Sequence, residues 1–216
     1  MNLYGASELE TELPSIGKVK LVQETEYPWN GRIRIKIKAA PEKEFALKLR
    51  IPGWAKAAAV RINNRPVDTA LKLSSYHELR RLWKIGDTVD LDLQMDTELI
   101  EANPLVEETF GEVAVKRGPI VYCLESIDLP KGVKPLDVSI LPDTKFRARY
   151  DQRLLGGVAV IEGLALARPN SNWSGQLYRE LRPSKPALIK LRLIPYSVWA
   201  NRGPGEMSVW LPLANP

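Results

Sequence analysis

Apolar and polar residues alternate along much of this chain. In RIRIKIK (Arg32 to Lys38), Ile33, Ile35 and Ile37 take every second position between cations. Phe45, Leu47, Leu49 and Ile51 alternate with Lys48 and Arg50, and Val89, Leu91 and Leu93 with Asp90 and Asp92. Successive side chains of a strand point to opposite faces, so a period of two predicts half-buried strands, apolar side inward. Turn signals separate them: Asn30-Gly31, Pro52-Gly53, Asn63-Asn64 and Gly86-Asp87. Many short strands at this spacing predict an all-β chain of antiparallel sheets packed as sandwiches. No segment sustains a 3.6-residue period. The best helical candidate, Pro52 to Ala59, is short and Ala-rich, and fits a loop as well.

The texture changes near MDTELIEANPLVEETFG (Met95 to Gly111), which is acidic and carries a proline. Alternation resumes at GEVAVKRGPIVYCLE. This predicts a first sandwich over 1–108 and a second over 109–192, with strands near Val113 to Lys116, Ile120 to Leu124, Lys145 to Tyr150 and Val158 to Leu166. A Pro/Asn/Ser-rich loop, ARPNSNWSGQ, precedes renewed strand texture in ALIKLRLIPY. The segment 193–216 stands apart. LIPYSVWANRGPGEMSVWLP (Leu193 to Pro212) holds three aromatics, three prolines and two glycines. Chain ends are usually polar and loosely held, so an apolar one predicts closing strands with a packing role.

Composition narrows the function. The 216 residues are 44% hydrophobic and 26% charged, enough for one large or two small cores. The start, MNLYGASELE, has no basic region followed by an apolar run, and no stretch approaches bilayer-spanning length; the expected location is cytoplasmic. The net charge of +5 is dispersed over strand faces, where a nucleic-acid binder would gather it into a patch. One cysteine, Cys123, permits no internal disulfide and no multi-cysteine metal site.

Candidate chemistry is sparse. His77, the single histidine, sits in SSYHELRRLW as a structural side chain at a strand or turn edge. Cys123 lies in the apolar PIVYCLE, where burial disfavours a thiolate. The carboxylate pairs Glu107-Glu108, Glu24 with Glu26, and Asp90 with Asp92 read as solvated charge. Gly156-Gly157 and Gly203-Pro204-Gly205 are turn chemistry. Of six tryptophans, Trp54, Trp83, Trp199 and Trp210 fall in patterned strands or at their ends and read as core or interface. Trp29, beside a turn, and Trp173, in a polar loop, are the candidates for sugar contact through an exposed ring.

Four collinear stretches carry a resemblance: QETEYPWNGRIRIKI (Gln23 to Ile37), LKLRIPGWAKAAAVRINNRPV (Leu47 to Val67), EVAVKRGPIVYCLE (Glu112 to Glu125) and IPYSVWANRGPGEMSVWLP (Ile194 to Pro212). In this order they resemble the C-terminal β-sandwich region of glycoside hydrolase family 127, the β-L-arabinofuranosidase family, over essentially the whole chain. The resemblance implies a non-catalytic portion that packs against an (α/α)6 catalytic barrel in plant-glycan degradation. That barrel would precede Met1 and carry a zinc-bound cysteine nucleophile and a glutamate acid/base. No catalytic or metal-binding residue is carried onto this sequence; Cys123 does not match the family's adjacent cysteine pair. The resemblance further implies that the last strands return to the first sandwich, with Trp199, Asn201, Arg202 and Trp210 anchoring a domain junction. A homodimer, contact with an arabinose-containing glycan, and a free-standing carbohydrate-binding module are the further expectations. Neither nucleic acid nor a membrane is expected.

Overall fold

A computed structural model describes residues 1–168, 175–180 and 185–214. The chain forms two units, Met1–Asp96 and Thr97–Pro216, both built from antiparallel strands as the period of two predicts. Pro52 to Ala59 is not helical; it passes through turns and enters a strand at Ala58.

The first unit contains β1 (Ser7–Leu13), β2 (Gly17–Thr25), β3 (Arg32–Ala39), β4 (Phe45–Ile51), β5 (Ala58–Ile62), β6 (Arg65–Pro66), β7 (Ser75–Arg81) and β8 (Thr88–Leu93). One sheet has the order β1-β2-β3-β8-β5-β6, and β4 pairs with β7 as a separate ribbon. Ile33, Ile35, Ile37, Val89, Leu91 and Leu93 turn inward from the larger sheet. They share a core with Leu47, Leu49 and Ile51 of β4. The alternation read from the sequence is thus the wall of this core. Trp83 is buried beside it, its indole N–H donating to the Phe45 carbonyl at 3.1 Å. Asn63 and Asn64 both take positive φ in the tight turn between β5 and β6, where Asn tolerates the left-handed region better than most residues. Gly31 is required by contact: a Cβ there would lie 1.9 Å from the Leu93 carbonyl oxygen.

The second unit starts earlier than the sequence texture suggests. β9 (Thr97–Glu101) pairs along its length with β10 (Glu112–Arg117), from Arg117 opposite Thr97 to Val113 opposite Glu101. The boundary expected after Glu108 therefore falls after Asp96. The acidic, proline-bearing stretch is the connection inside a hairpin, and its polarity reflects a solvated loop instead of a linker between units. The remaining strands are β11 (Ile120–Glu125), β12 (Val138–Ile140), β13 (Arg147–Asp151), β14 (Val158–Ala167), β15 (Ala187–Pro195), β16 (Met207–Ser208) and β17 (Trp210–Pro212). Their main path runs β12-β14-β15-β11-β10-β17.

Among the described residues, the closing segment adds no strand to the sheets of the first unit. β16 pairs with β11 and β17 with β10. Beyond β17, Leu213 bridges Ile140 of β12, and the Ala214 N–H donates to the Ile140 carbonyl at 2.8 Å. The last strand of the path thus meets the first, and the sheet curls round on itself. The physical reason for the correction is local: β17 fits between two strands of its own unit that would otherwise present unpaired edges. The apolar ending is explained by what it encloses. Leu211, with Leu213 packed at the margin, joins Val113, Val115, Tyr122, Leu124, Ile140, Ile161, Leu191 and Leu193 in one core.

Leu211→Ala should accordingly lower the stability of the second unit by about 2–5 kcal/mol, the usual range for emptying a buried leucine site. Native-state hydrogen exchange is expected to show accelerated opening of the β10, β11 and β12 amides, with β3 and β8 unchanged. Equal acceleration in β3 and β8 would restore the original expectation for this segment.

Candidate functional site

The end of β11 and the segment after β15 meet around one guanidinium. β11 finishes at Glu125, which is 5% exposed, and a single 3-10 turn, Ser126–Asp128, follows. After β15 a second 3-10 turn, Tyr196–Val198, leads to Ala200, whose φ is +64°. Arg202 donates from Nε to Glu125 Oε2 at 2.9 Å and from Nη1 to Asp128 Oδ1 at 3.0 Å. Its Nη2 bonds both carboxylates. The Ala200 N–H donates to the other Glu125 oxygen at 2.9 Å. The hydrogen bond to Asp128, set against burial, and then those to Glu125 hold the guanidinium protonated well above its usual range. Such forked pairing is the geometry that makes a desolvated arginine tolerable. Sequence reasoning singled out Arg202 but assigned it to a junction between domains. Its partners, Glu125 and Asp128, lie within its own unit and were missed. The one available signal was a carboxylate closing the apolar run PIVYCL.

The other sequence candidates are dispersed. Trp199 is 42% exposed and stacks with Tyr196, centroids 6.3 Å apart and ring planes 9° from parallel. Asn201 is exposed, and Trp210 is half-buried on β17 opposite Ala114. Trp29 is half-buried in a turn, its N–H donating to the Glu26 carbonyl at 2.8 Å. Trp173 lies outside the described residues. Trp54, read as core or interface, packs at the margin of the first core and stacks with Tyr27.

The groups that could do covalent chemistry are placed unfavourably for it. Cys123 is buried, and burial, then the neighbouring Glu125 charge, pushes its thiol up to about 12. A thiol at that value supplies almost no thiolate nucleophile near neutrality. His77 sits on β7 opposite Leu49. Asp90 is engaged by Arg34 at 2.6 Å. Among the described residues there is no group of three or more His, Cys, Asp or Glu side chains that could hold a metal, and no helix long and apolar enough to cross a membrane. A groove of about 730 Å³ runs over the outer face of the first unit's sheet. Glu24, Arg34, Asp90 and Arg61 stand there in cross-strand register, with alternating charge. Of the groove's carboxylates, Glu24 is paired with Lys36 and Asp90 with Arg34.

Fold and topology together define a pair of antiparallel, sandwich-like β units. Residues 1–95 match the family model described as the middle domain of GH127 β-L-arabinofuranosidase, and residues 97–212 match that of the glycoside hydrolase family 127 C-terminal domain. The chain belongs to glycoside hydrolase family 127. It is 31% identical over 206 residues to a non-reducing end β-L-arabinofuranosidase of Bifidobacterium longum subsp. longum, covering 87% of this chain and 29% of that protein. Among solved structures, a glycoside hydrolase is 42% identical with a TM-score of 0.91, covering 99% of this chain and 35% of the other. A GH127 β-L-arabinofuranosidase from Geobacillus stearothermophilus T6 is also 42% identical, with a TM-score of 0.86 over 98% of this chain and 33% of its own. The chain spans about a third of the length of these relatives.

Arg202→Leu should destabilise the second unit by about 3–5 kcal/mol, because two buried carboxylates lose their counter-charge. Arg202→Lys should recover only part of this, since a lysine cannot fork to both. Chemical denaturation checks both; a neutral Arg202→Leu would show that the cluster adds nothing. Cys123 should resist a thiol-specific reagent at pH 8 in the native chain and react fully in denaturant. Rapid labelling of the native chain would place the thiol at the surface.

Proposed function

We propose that this chain is the non-catalytic β region of a β-L-arabinofuranosidase-type enzyme, which packs on and supports an (α/α)6 catalytic barrel in the breakdown of arabinose-containing plant glycans. The observation that carries this reading is the mismatch between likeness and content. The chain follows its relatives nearly end to end, over about a third of their length. Yet its lone thiol is buried and held neutral, and its single histidine lies on β7, facing Leu49 of β4 in the ladder of the first unit.

The zinc implied for such an enzyme does not fit here. A zinc site needs three or four convergent soft or imidazole donors, and none converge among the described residues. In this reading the zinc and the nucleophile are assigned to the barrel. The role left to this chain is mechanical: two stiff β bodies offering a surface on which a helical barrel rests, at one margin of its substrate cleft.

The test is an activity and association measurement. The chain alone should release no product from an aryl β-L-arabinofuranoside, with or without added zinc. It should form a one-to-one complex with a separately produced barrel of the Geobacillus relative, read by analytical ultracentrifugation. Turnover by the chain alone, or failure to associate with a folded barrel, would overturn the reading.

A further inference from the structure

We propose that the stacked rings of Tyr196 and Trp199, together with Val121, form the contact by which the second unit docks on the catalytic barrel. This rests on the function proposed above and adds the surface that would perform it. Tyr196 is 47% and Trp199 42% exposed, with their ring planes 9° from parallel. β11 and β15 pair at Tyr122 and Pro195, both buried. The turn Tyr196–Val198 follows that pair directly and lies against β11, whose Val121, next to the buried Tyr122, is 41% exposed. Ile127, 60% exposed, rides on the short turn between the two carboxylates that hold Arg202. Four apolar side chains, two of them aromatic, thus flank one ion cluster on the outside of the unit.

The patch is held in place. The Trp199 N–H donates to the Tyr196 carbonyl at 3.1 Å, and the next residue, Ala200, is fixed by its N–H to Glu125. Arg202 then ties the same stretch to β11 and its following turn. Aromatic anchors on a rigid support lose little conformational freedom on binding, which is why Trp and Tyr dominate the energetics of protein interfaces. An exposed apolar patch of this kind marks an interaction surface.

The chemistry of the patch selects its occupant. A sugar subsite needs several polar groups converging beside the ring. Here Glu125 and Asp128 are consumed by Arg202, and Ser197 and Asn201 are the exposed polar side chains left in the stretch from Tyr196 to Arg202. What remains suits an apolar protein face. About two-thirds of each relative's length lies outside the part this chain matches, and we assign the patch to that remainder.

Trp199→Ala and Tyr196→Ala should lower the chain's melting temperature by only a few degrees, because both rings are nearly half exposed and lose chiefly their mutual stacking. Each should weaken association with the Geobacillus barrel at least tenfold in isothermal titration. Leu188→Ala, which removes another exposed side chain of the unit, should leave it unchanged. A barrel that is misfolded when made alone is replaced by the intact Geobacillus enzyme, with alanine placed at the two positions that superpose on Tyr196 and Trp199. There the β region and barrel should lose their joint unfolding transition. Wild-type binding retained in Trp199→Ala overturns the inference while the proposed function stands; no binding by the wild-type chain overturns both. Trp199-dependent fluorescence changes with an L-arabinofuranosyl disaccharide would make the patch a sugar platform. Concentration-dependent self-association lost in Trp199→Ala would make it a dimer contact. Either outcome would overturn the inference.

Discussion

The second unit depends on the bridging position of one short strand. Trp210–Pro212 lies against β10, and the residues after it reach β12. Without it, β10 and β12 would offer open edges, and Leu211 would leave a gap in the core. Edges are costly because unpaired N–H and C=O groups seek partners, including those of other chains. Curling the sheet until its last strand meets its first satisfies those groups and seals the apolar interior in one step. The glycines, prolines and ion cluster ahead of β17 serve this end. They turn the chain out of β15 and deliver the final strand to its slot.

Charge is used in two different ways. On the outer face of the first unit, Glu24, Arg34, Asp90 and Arg61 form a ladder in solvent. Exposed pairs of this sort stabilise little; their use is to keep a flat sheet face wet and unattractive to other edges. Around Arg202 the situation reverses. Its side chain is 14% exposed and those of Glu125 and Asp128 are 6% and 10% exposed. Three ions are desolvated there, so each depends on the others, and the arrangement imposes a single geometry on two turns. The same interaction type is a coating in one unit and a fixture in the other, and burial makes the difference.

What the sequence made legible follows from the same physics. β3, β4 and β8 were plain because one face of each meets the core and the other meets water. β7 was obscured because Leu79 alone is buried within SYHELRR. β1 was obscured because its leucines and glutamates both remain largely outside. The acidic run after Asp96 resembled a linker because hairpin loops and linkers share a composition; only pairing distinguishes them. The Arg202 partners are 74 and 77 residues away in the chain, beyond the reach of any local pattern. The direction taken by the closing segment was likewise invisible: apolar alternation states that a strand is buried, not which sheet receives it.

Ring closure also sets an order of events during synthesis. The first unit has all its strands once residue 93 has left the ribosome, so it is free to fold while the rest is still being made. The second cannot complete its circle until residues near 214 emerge, some hundred positions after β10. During that interval a half-built sheet stands with edges open beside a finished neighbour. Nascent chains fold by domains in this vectorial way, and the exposed interval is where a holding chaperone would find its work.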